Sequence, residues 1–221
     1  MPLYKQVKED ALQWAIWRMD ESLDQLAALV PYGDKLLAEC AHFASEHRRK
    51  ERVGARVLLH HLLQREEPVA YLPSGKPYLV SGAYHISISH TADYVAVALH
   101  SQHEVGIDVE RFGMRALRLK DRFVREDESL EPPAVYTALL HWSAKETAFK
   151  LLDCDEVDFK QHLRITPFYP QTEGIFTLTE TRTEEQKRFR IHYLVTKDFV
   201  LTLAWMNRTQ SPQLSKNTQP L

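Results

Sequence analysis

Short runs of alternating apolar and polar residues dominate the chain, and a few longer segments carry a three-to-four-residue apolar period. "ALQWAIWRM", residues 11–19, sets Leu12, Trp14 and Ile16 on one side and predicts a strand. "ESLDQLAALV" predicts a short helix, with Ser22 as cap and Gln25 three residues on. Residues 38–68, "AECAHFASEHRRKERVGARVLLHHLLQREEP", carry one long helical pattern with Phe43, Val53, Val57 and Leu58 on its stripe and Pro68 at its end. "SGKPYLV" predicts a turn feeding a short strand. "AYHISISHTADYVAVALHS" predicts two strands around residues 91–93, and "HEVGIDVERF", 103–112, a third.

The order then partly repeats. Residues 114–152 are helical in pattern, interrupted by Pro132 and Pro133. Strand-like runs follow: "HLRITPF", "GIFTLTE" with "RFRIHYLV", and "FVLTLAWM". Helices beside a small sheet, twice over, predict an α+β fold with two similar halves. The expected division is an N-terminal half at 1–102 and a C-terminal half at 103–208. The polar, patternless residues 209–221 are expected to be a disordered tail.

Composition narrows the function classes. The 221 residues are 44% hydrophobic and 26% charged, as in ordinary globular proteins. A net charge of −2 gives no overall field favouring nucleic acid or an anionic membrane. No apolar stretch reaches the ~18–20 residues that span a bilayer, and the charged N-terminus lacks the apolar region of a secretory signal. Cys40 and Cys154 have neither metal-like nor disulfide-framework spacing, so a reduced, cytoplasmic setting is expected.

Two acidic residues interrupt the strand signal of "HEVGIDVERF". Asp108 and Glu110 are two apart and share a strand face, roughly 6–7 Å from each other along the backbone. Carboxylates that close repel unless a cation intervenes. They either lie on a solvated face, paired with Arg111 and Arg115, or hold Mg²⁺, which takes one or two carboxylates plus water and phosphate oxygens. In "HWSAKETAFK", Trp142, Glu146 and Lys150 fall on one helix face. Glu146 and Lys150 are either an ordinary i,i+4 pair or a third carboxylate and an ammonium in a site. Lys76 in the "SGKP" turn suits a phosphate, or is a solvent-facing turn residue. Ser89 and His90 at a strand end can both donate hydrogen bonds, or His90 is a core-edge histidine bonded to a backbone carbonyl. "HRRKER" is a basic run on a helix, with Arg49 and Arg56 two turns apart on one side.

In order, "SGKP", "SISHT", "GIDVE" and "WSAKETAFK" resemble the 4′-phosphopantetheinyl transferases, in particular the larger monomeric type that activates peptide synthetases and acyl carrier proteins. The resemblance runs from about residue 45 to 152. Thr147 stands where that family usually has alanine. The resemblance implies two pseudo-symmetric α/β halves, coenzyme A in the cleft between them, and Mg²⁺ on its pyrophosphate. It implies Asp108, Glu110 and Glu146 as metal ligands, and Glu146 and Lys150 as catalytic residues. It places Lys76 with Pro77, Ser89 and His90 on the coenzyme's phosphates, and Arg49, with Arg56, near its nucleotide. The segment around Arg122–Glu128 would face an apo acyl carrier protein or peptidyl carrier domain. The expected reaction moves the 4′-phosphopantetheine group to a carrier serine and releases 3′,5′-ADP. The expected protein is a monomer with neither nucleic acid nor membrane as partner. The rivals are a non-catalytic coenzyme A- or carrier-binding module and another Mg²⁺-dependent phosphoryl-transfer enzyme.

Overall fold

The computed structural model describes residues 3–152, 154 and 156–206, so the expected tail lies outside the described residues. Strands β1 (Leu3–Glu9) and β2 (Leu12–Arg18) open the chain. Helices α1 (Leu23–Ala27), α2 (Gly33–Cys40) and α3 (Glu46–Leu63) follow. Next come strands β3 (Val69–Tyr71), β4 (Pro77–Leu79), β5 (His85–Thr91), β6 (Tyr94–His100) and β7 (Val105–Arg111). Helix α4 (Arg115–Arg118) and a 3₁₀ turn at Lys120–Arg122 lead to the long helix α5 (Ala134–Leu152). Helix α6 (Phe159–His162) precedes β8 (Leu163–Ile165), β9 (Glu173–Glu180), β10 (Arg188–Val195) and β11 (Phe199–Trp205).

The fold is α+β. One antiparallel sheet has the order β1-β2-β6-β5 and the other β7-β11-β10-β9-β8, while β3 and β4 form a small hairpin. Ser22 caps α1 in a complete capping box with Gln25, as the sequence predicts. The single helical segment expected over 38–68 is two helices, because the Ser45 hydroxyl takes the Arg48 N–H and starts α3 there. The helical pattern at 114–152 likewise resolves into α4, the 3₁₀ turn and α5, and α5 begins only after Pro132 and Pro133. Strands β1 and β3 and helix α6 carry no clear period and were not expected; β1 alternates only between half-buried and exposed positions.

Three apolar clusters explain the layering. Val53, Val57 and Leu58 of α3 pack on Ala15, Trp17, Val95 and Val97 of the first sheet. Leu140, Ala144 and Ala148 of α5 pack on Ile191, Val200 and Ala204 of the second. The two sheets close on each other through Trp14, Ile16 and Ala96 on one side and Ile107, Val109 and Leu201 on the other, making an open half-barrel. Among the described residues no helix is long and apolar enough to cross a membrane.

The sheets join where β5 runs beside β7 in the same direction. There the Ile107 and Val109 N–H groups donate to the hydroxyls of Ser87 and Ser89 at 3.1 and 3.3 Å, and the Arg111 N–H donates to Thr91 at 3.3 Å. Every second residue of "SISHT" therefore supplies an acceptor that a regular ladder would take from a backbone carbonyl. On the opposite flank β7 pairs with β11, from Val105 against Trp205 to Arg111 against Phe199.

Gly106 lets α5 approach β7. A Cβ there would lie 2.6 Å from the Thr147 carbonyl oxygen and 3.0 Å from Leu151 Cγ, whereas one on Gly113 would meet nothing within 4 Å. Gly106→Ala should cost about 1–3 kcal/mol of stability through overpacking, and Gly113→Ala should be close to neutral. Urea unfolding midpoints of the two variants check this; equal midpoints would mean α5 does not press on β7.

Candidate active site between strand β7 and helix α5

Helix α5 crosses β7 so that two separate sequence motifs meet. The Trp142 indole N–H donates to Glu110 Oε1 at 2.7 Å. Two turns further along, Lys150 Nζ donates to Asp108 Oδ1 at 2.8 Å and to the Ile107 carbonyl at 2.9 Å. Glu146 lies one helical turn from each. Residues 142, 146 and 150 share a face by their spacing, and that face meets the side of β7 bearing Asp108 and Glu110. Lys150 thus pairs across the fold with Asp108, instead of forming the local pair with Glu146 that helix spacing allows.

The charge balance here is unfavourable to three anions. Asp108 is buried; its Oδ1 takes Lys150 and the Ser89 hydroxyl, and its Oδ2 has no hydrogen-bond partner. Burial, then the Asp108 charge, pushes the Glu110 carboxyl up to about 7, against the opposing bond from Trp142. Burial and Asp108 also raise Glu146, with Lys150 acting the other way. Among the described residues, no three His, Cys, Asp or Glu side chains are gathered closely enough to form a metal cage. Lys150 occupies one oxygen of Asp108 and the indole draws Glu110 toward the helix.

A cavity of about 280 Å³ opens beside this cluster. Glu146, Phe149 and Lys150 of α5 form one wall, Ile86 and Ile88 of β5 another, and Lys76 with Pro77 a third. Lys76 and Pro77 therefore stand with Glu146 and Lys150, as expected. His90 does not line this cavity. It lies further along β5, its Nδ1 2.8 Å from Glu51 Oε1, in a second pocket of about 400 Å³ with His47, Arg48 and Arg52. Burial lowers its pKa, with Glu51 acting the other way and Lys150 reinforcing the fall.

Three expected contacts are placed differently. The Ser89 hydroxyl gives its one proton to Asp108 and accepts the Val109 N–H, so it is committed to the β5–β7 seam. Arg56 donates to the Glu67 and Val69 carbonyls at 3.5 and 2.9 Å, pinning α3 to the strand after it. Arg49 is half-buried on α3 with its Nε lacking a partner, and it lines neither pocket.

Lys145 belongs to the "WSAKETAFK" motif, but the resemblance gives it no role. It is fully buried and donates to Glu128 Oε2 at 2.8 Å and to the Phe123 and Phe159 carbonyls at 2.6 and 3.2 Å. Glu128 in turn accepts the Arg125 and Ile165 N–H groups, so this pair anchors segment 123–128 to α5 and β8. The hint in the sequence is a lysine with Trp142, Ala148 and Phe149 one turn away on either side. Thr147 is buried as well, and its hydroxyl meets that of Thr202 at 2.7 Å, which satisfies it where alanine would need no partner.

No protein-family model and no curated protein matches the chain.

The Glu110 environment predicts a pH effect. In the unfolded chain the group ionises near 4.5, and in the fold near 7. Folding must therefore hold a proton that the unfolded chain releases, so stability falls as pH rises from about 4.5 through about 7. Glu110→Gln, which can still accept the indole N–H, should be more stable than wild type by about 1–3 kcal/mol at pH 8, and the two should converge below about 4.5. Melting temperatures across this range check it; a constant offset at all pH values would contradict the buried-carboxyl account.

Proposed function

We propose that the protein is a 4′-phosphopantetheinyl transferase that moves the phosphopantetheine of coenzyme A to a serine of an apo acyl carrier protein or peptidyl carrier domain. The observation that carries this reading is the crossing of β7 and α5. "GIDVE" and "WSAKETAFK" are distant in sequence, yet their acidic residues and Lys150 meet beside a cavity that Lys76 also lines. Two half-sheets with one long helix each, joined along β5 and β7, suit the pseudo-two-fold architecture of that family. A cytoplasmic monomer is part of the same reading.

The donor set fits a magnesium ion. Asp108 Oδ2 is buried without a partner, and two neighbouring carboxyls are pushed toward their neutral forms. A hard cation relieves both penalties, and Mg²⁺ needs no full protein cage because it keeps several waters. Asp108, Glu110 and Glu146 would hold it. When bound, the ion supplies Lewis-acid stabilisation of charge on the pyrophosphate.

The chain's own groups have distinct tasks. The carrier serine oxygen bonds to the β-phosphorus of coenzyme A while the bond from that phosphorus to the bridging oxygen breaks, and 3′,5′-ADP leaves. Glu146, on the cavity wall beside Lys150, accepts the serine proton. Lys150 has three N–H donors, two of them committed to Ile107 and Asp108, so one can meet a phosphoryl oxygen. Lys76 carries charge toward the coenzyme's phosphates from the opposite wall. His90, near His47 and Arg48 in the second pocket, suits the 3′-phosphate end of the coenzyme.

Incubation with coenzyme A, Mg²⁺ and several apo carriers should add one phosphopantetheine mass to a carrier. Glu146→Gln should reduce turnover by about 10²–10⁴-fold with a smaller change in coenzyme A affinity. Lys150→Met should lower turnover and affinity together, since the ammonium meets phosphate before and during reaction. Normal turnover in Glu146→Gln at saturating Mg²⁺ would overturn the mechanism. Calorimetric coenzyme A binding with every carrier unmodified would make the protein a binding module instead.

A further inference from the structure

Glu104 sits just before β7 and is fixed there by its backbone, whose carbonyl accepts the Met206 N–H at 2.9 Å. Its carboxylate reaches in two directions. Oε2 lies 2.9 Å from Lys76 Nζ and Oε1 lies 2.7 Å from His85 Nδ1. Burial alone would raise the Glu104 pKa, but the bonds and charges of Lys76 and His85 together hold it below the ordinary value.

The setting gives this contact leverage. Lys76 ends a turn held locally by the Gly75 N–H on the Leu72 carbonyl and by the Leu72 N–H on the Lys76 carbonyl. Residues 71–75 are exposed, and Gly75 has φ 86°. The Lys76 side chain is nevertheless only 17% exposed and forms part of the cavity wall facing Glu146 and Lys150. A long ammonium side chain has rotamer freedom to lose, and a carboxylate anchored at a strand end removes it in advance. The same carboxylate opposes the ammonium's pull on an incoming anion.

We propose that Glu104 is a positioning residue: it holds the Lys76 ammonium on the cavity wall, and its negative charge moderates how tightly the cavity grips a phosphate ligand. The inference rests on the transferase reading for the identity of that ligand, and on the structure alone for the position of Lys76. Glutamine at this position can keep both contacts, its carbonyl accepting from Lys76 and its amide donating to a neutral His85 ring, while the charge is lost. Alanine loses contacts and charge together.

Glu104→Gln and Glu104→Ala separate the two effects. By calorimetry at moderate salt, Glu104→Gln should bind coenzyme A about two- to fivefold tighter than wild type, because the opposing charge is gone and the ammonium stays in place. Glu104→Ala should bind more weakly than Glu104→Gln, because Lys76 loses the contact that Glu104 makes with it. In carrier modification assays the change should appear in KM for coenzyme A and not in kcat. Acetic anhydride labelling of Lys76, read by mass spectrometry without ligand, should rise several-fold in Glu104→Ala. Unchanged labelling in Glu104→Ala, or equal affinities in the two variants, would overturn the proposal. Labelling that rises in a protein with no coenzyme A binding would sustain the hold on Lys76, limit the inference to that hold, and remove the transferase reading.

Discussion

Strand β7 must satisfy its backbone on two sides, and only one neighbour offers a regular ladder. On the β11 side the pairing is ordinary antiparallel sheet. On the β5 side the donors of Ile107, Val109 and Arg111 reach hydroxyls instead of carbonyls. Buried amides left without acceptors would cost about 1–3 kcal/mol each, so the period-two placement of Ser87, Ser89 and Thr91 is what allows two sheets to meet along this line. The rest follows from that seam. It fixes which face of β7 turns inward to the apolar cluster and which face, with Asp108 and Glu110, meets α5. Ser89 ties seam and site together, since its hydroxyl serves the Val109 amide and the Asp108 carboxylate at once.

Helix α5 is held against this strand by features of opposite kinds. Gly106 removes a side chain where the helix backbone comes near, and Thr147 and Ser143 meet Thr202 through hydroxyls. On its far side Lys145 and Glu128 form a fully buried ion pair, with further carbonyl and N–H partners that offset the cost of burying charge. Burial, then the Lys145 charge, pushes the neighbouring His141 down to about 3, so that side chain stays neutral at ordinary pH. The helix is therefore anchored by its hydroxyl contacts and the Lys145–Glu128 pair, while the face bearing Glu146 and Lys150 meets carboxylates that are incompletely satisfied.

Much of this was legible in the sequence, because alternation and helical period report burial directly. The paired strands around residues 91–93, the short capped helix at Ser22 and the strands of the second half all follow from spacing and turn chemistry. Strand β1 was not legible, as one of its faces is only half-buried and its two lysines, Gln6 and Glu9 blur the pattern. At the site, the shared face of Trp142, Glu146 and Lys150 could be read from helix geometry alone, and so could that of Asp108 and Glu110. Which atoms those faces meet could not. The partner of Lys150 is 42 residues away in sequence, a separation at which local spacing carries no information. Ser89 looked like a donor for a ligand because hydroxyls at strand ends often are, but the neighbouring strand had first claim on it.

The inner faces of the two sheets have a consequence for how far the halves can be considered separate. Topology divides the chain near residue 102, since each side has its own sheet and its own covering helix. Yet Trp14, Ile16 and Ala96 share one apolar cluster with Ile107, Val109, Phe199 and Leu201 of the other sheet. Cutting the chain at that point would leave each fragment with a bare apolar sheet face on one side and a well-packed helix on the other. Such a fragment seeks the missing face in another molecule. Whatever duplication of shape the molecule displays, that shared layer makes one core of the two halves, and they are expected to unfold together.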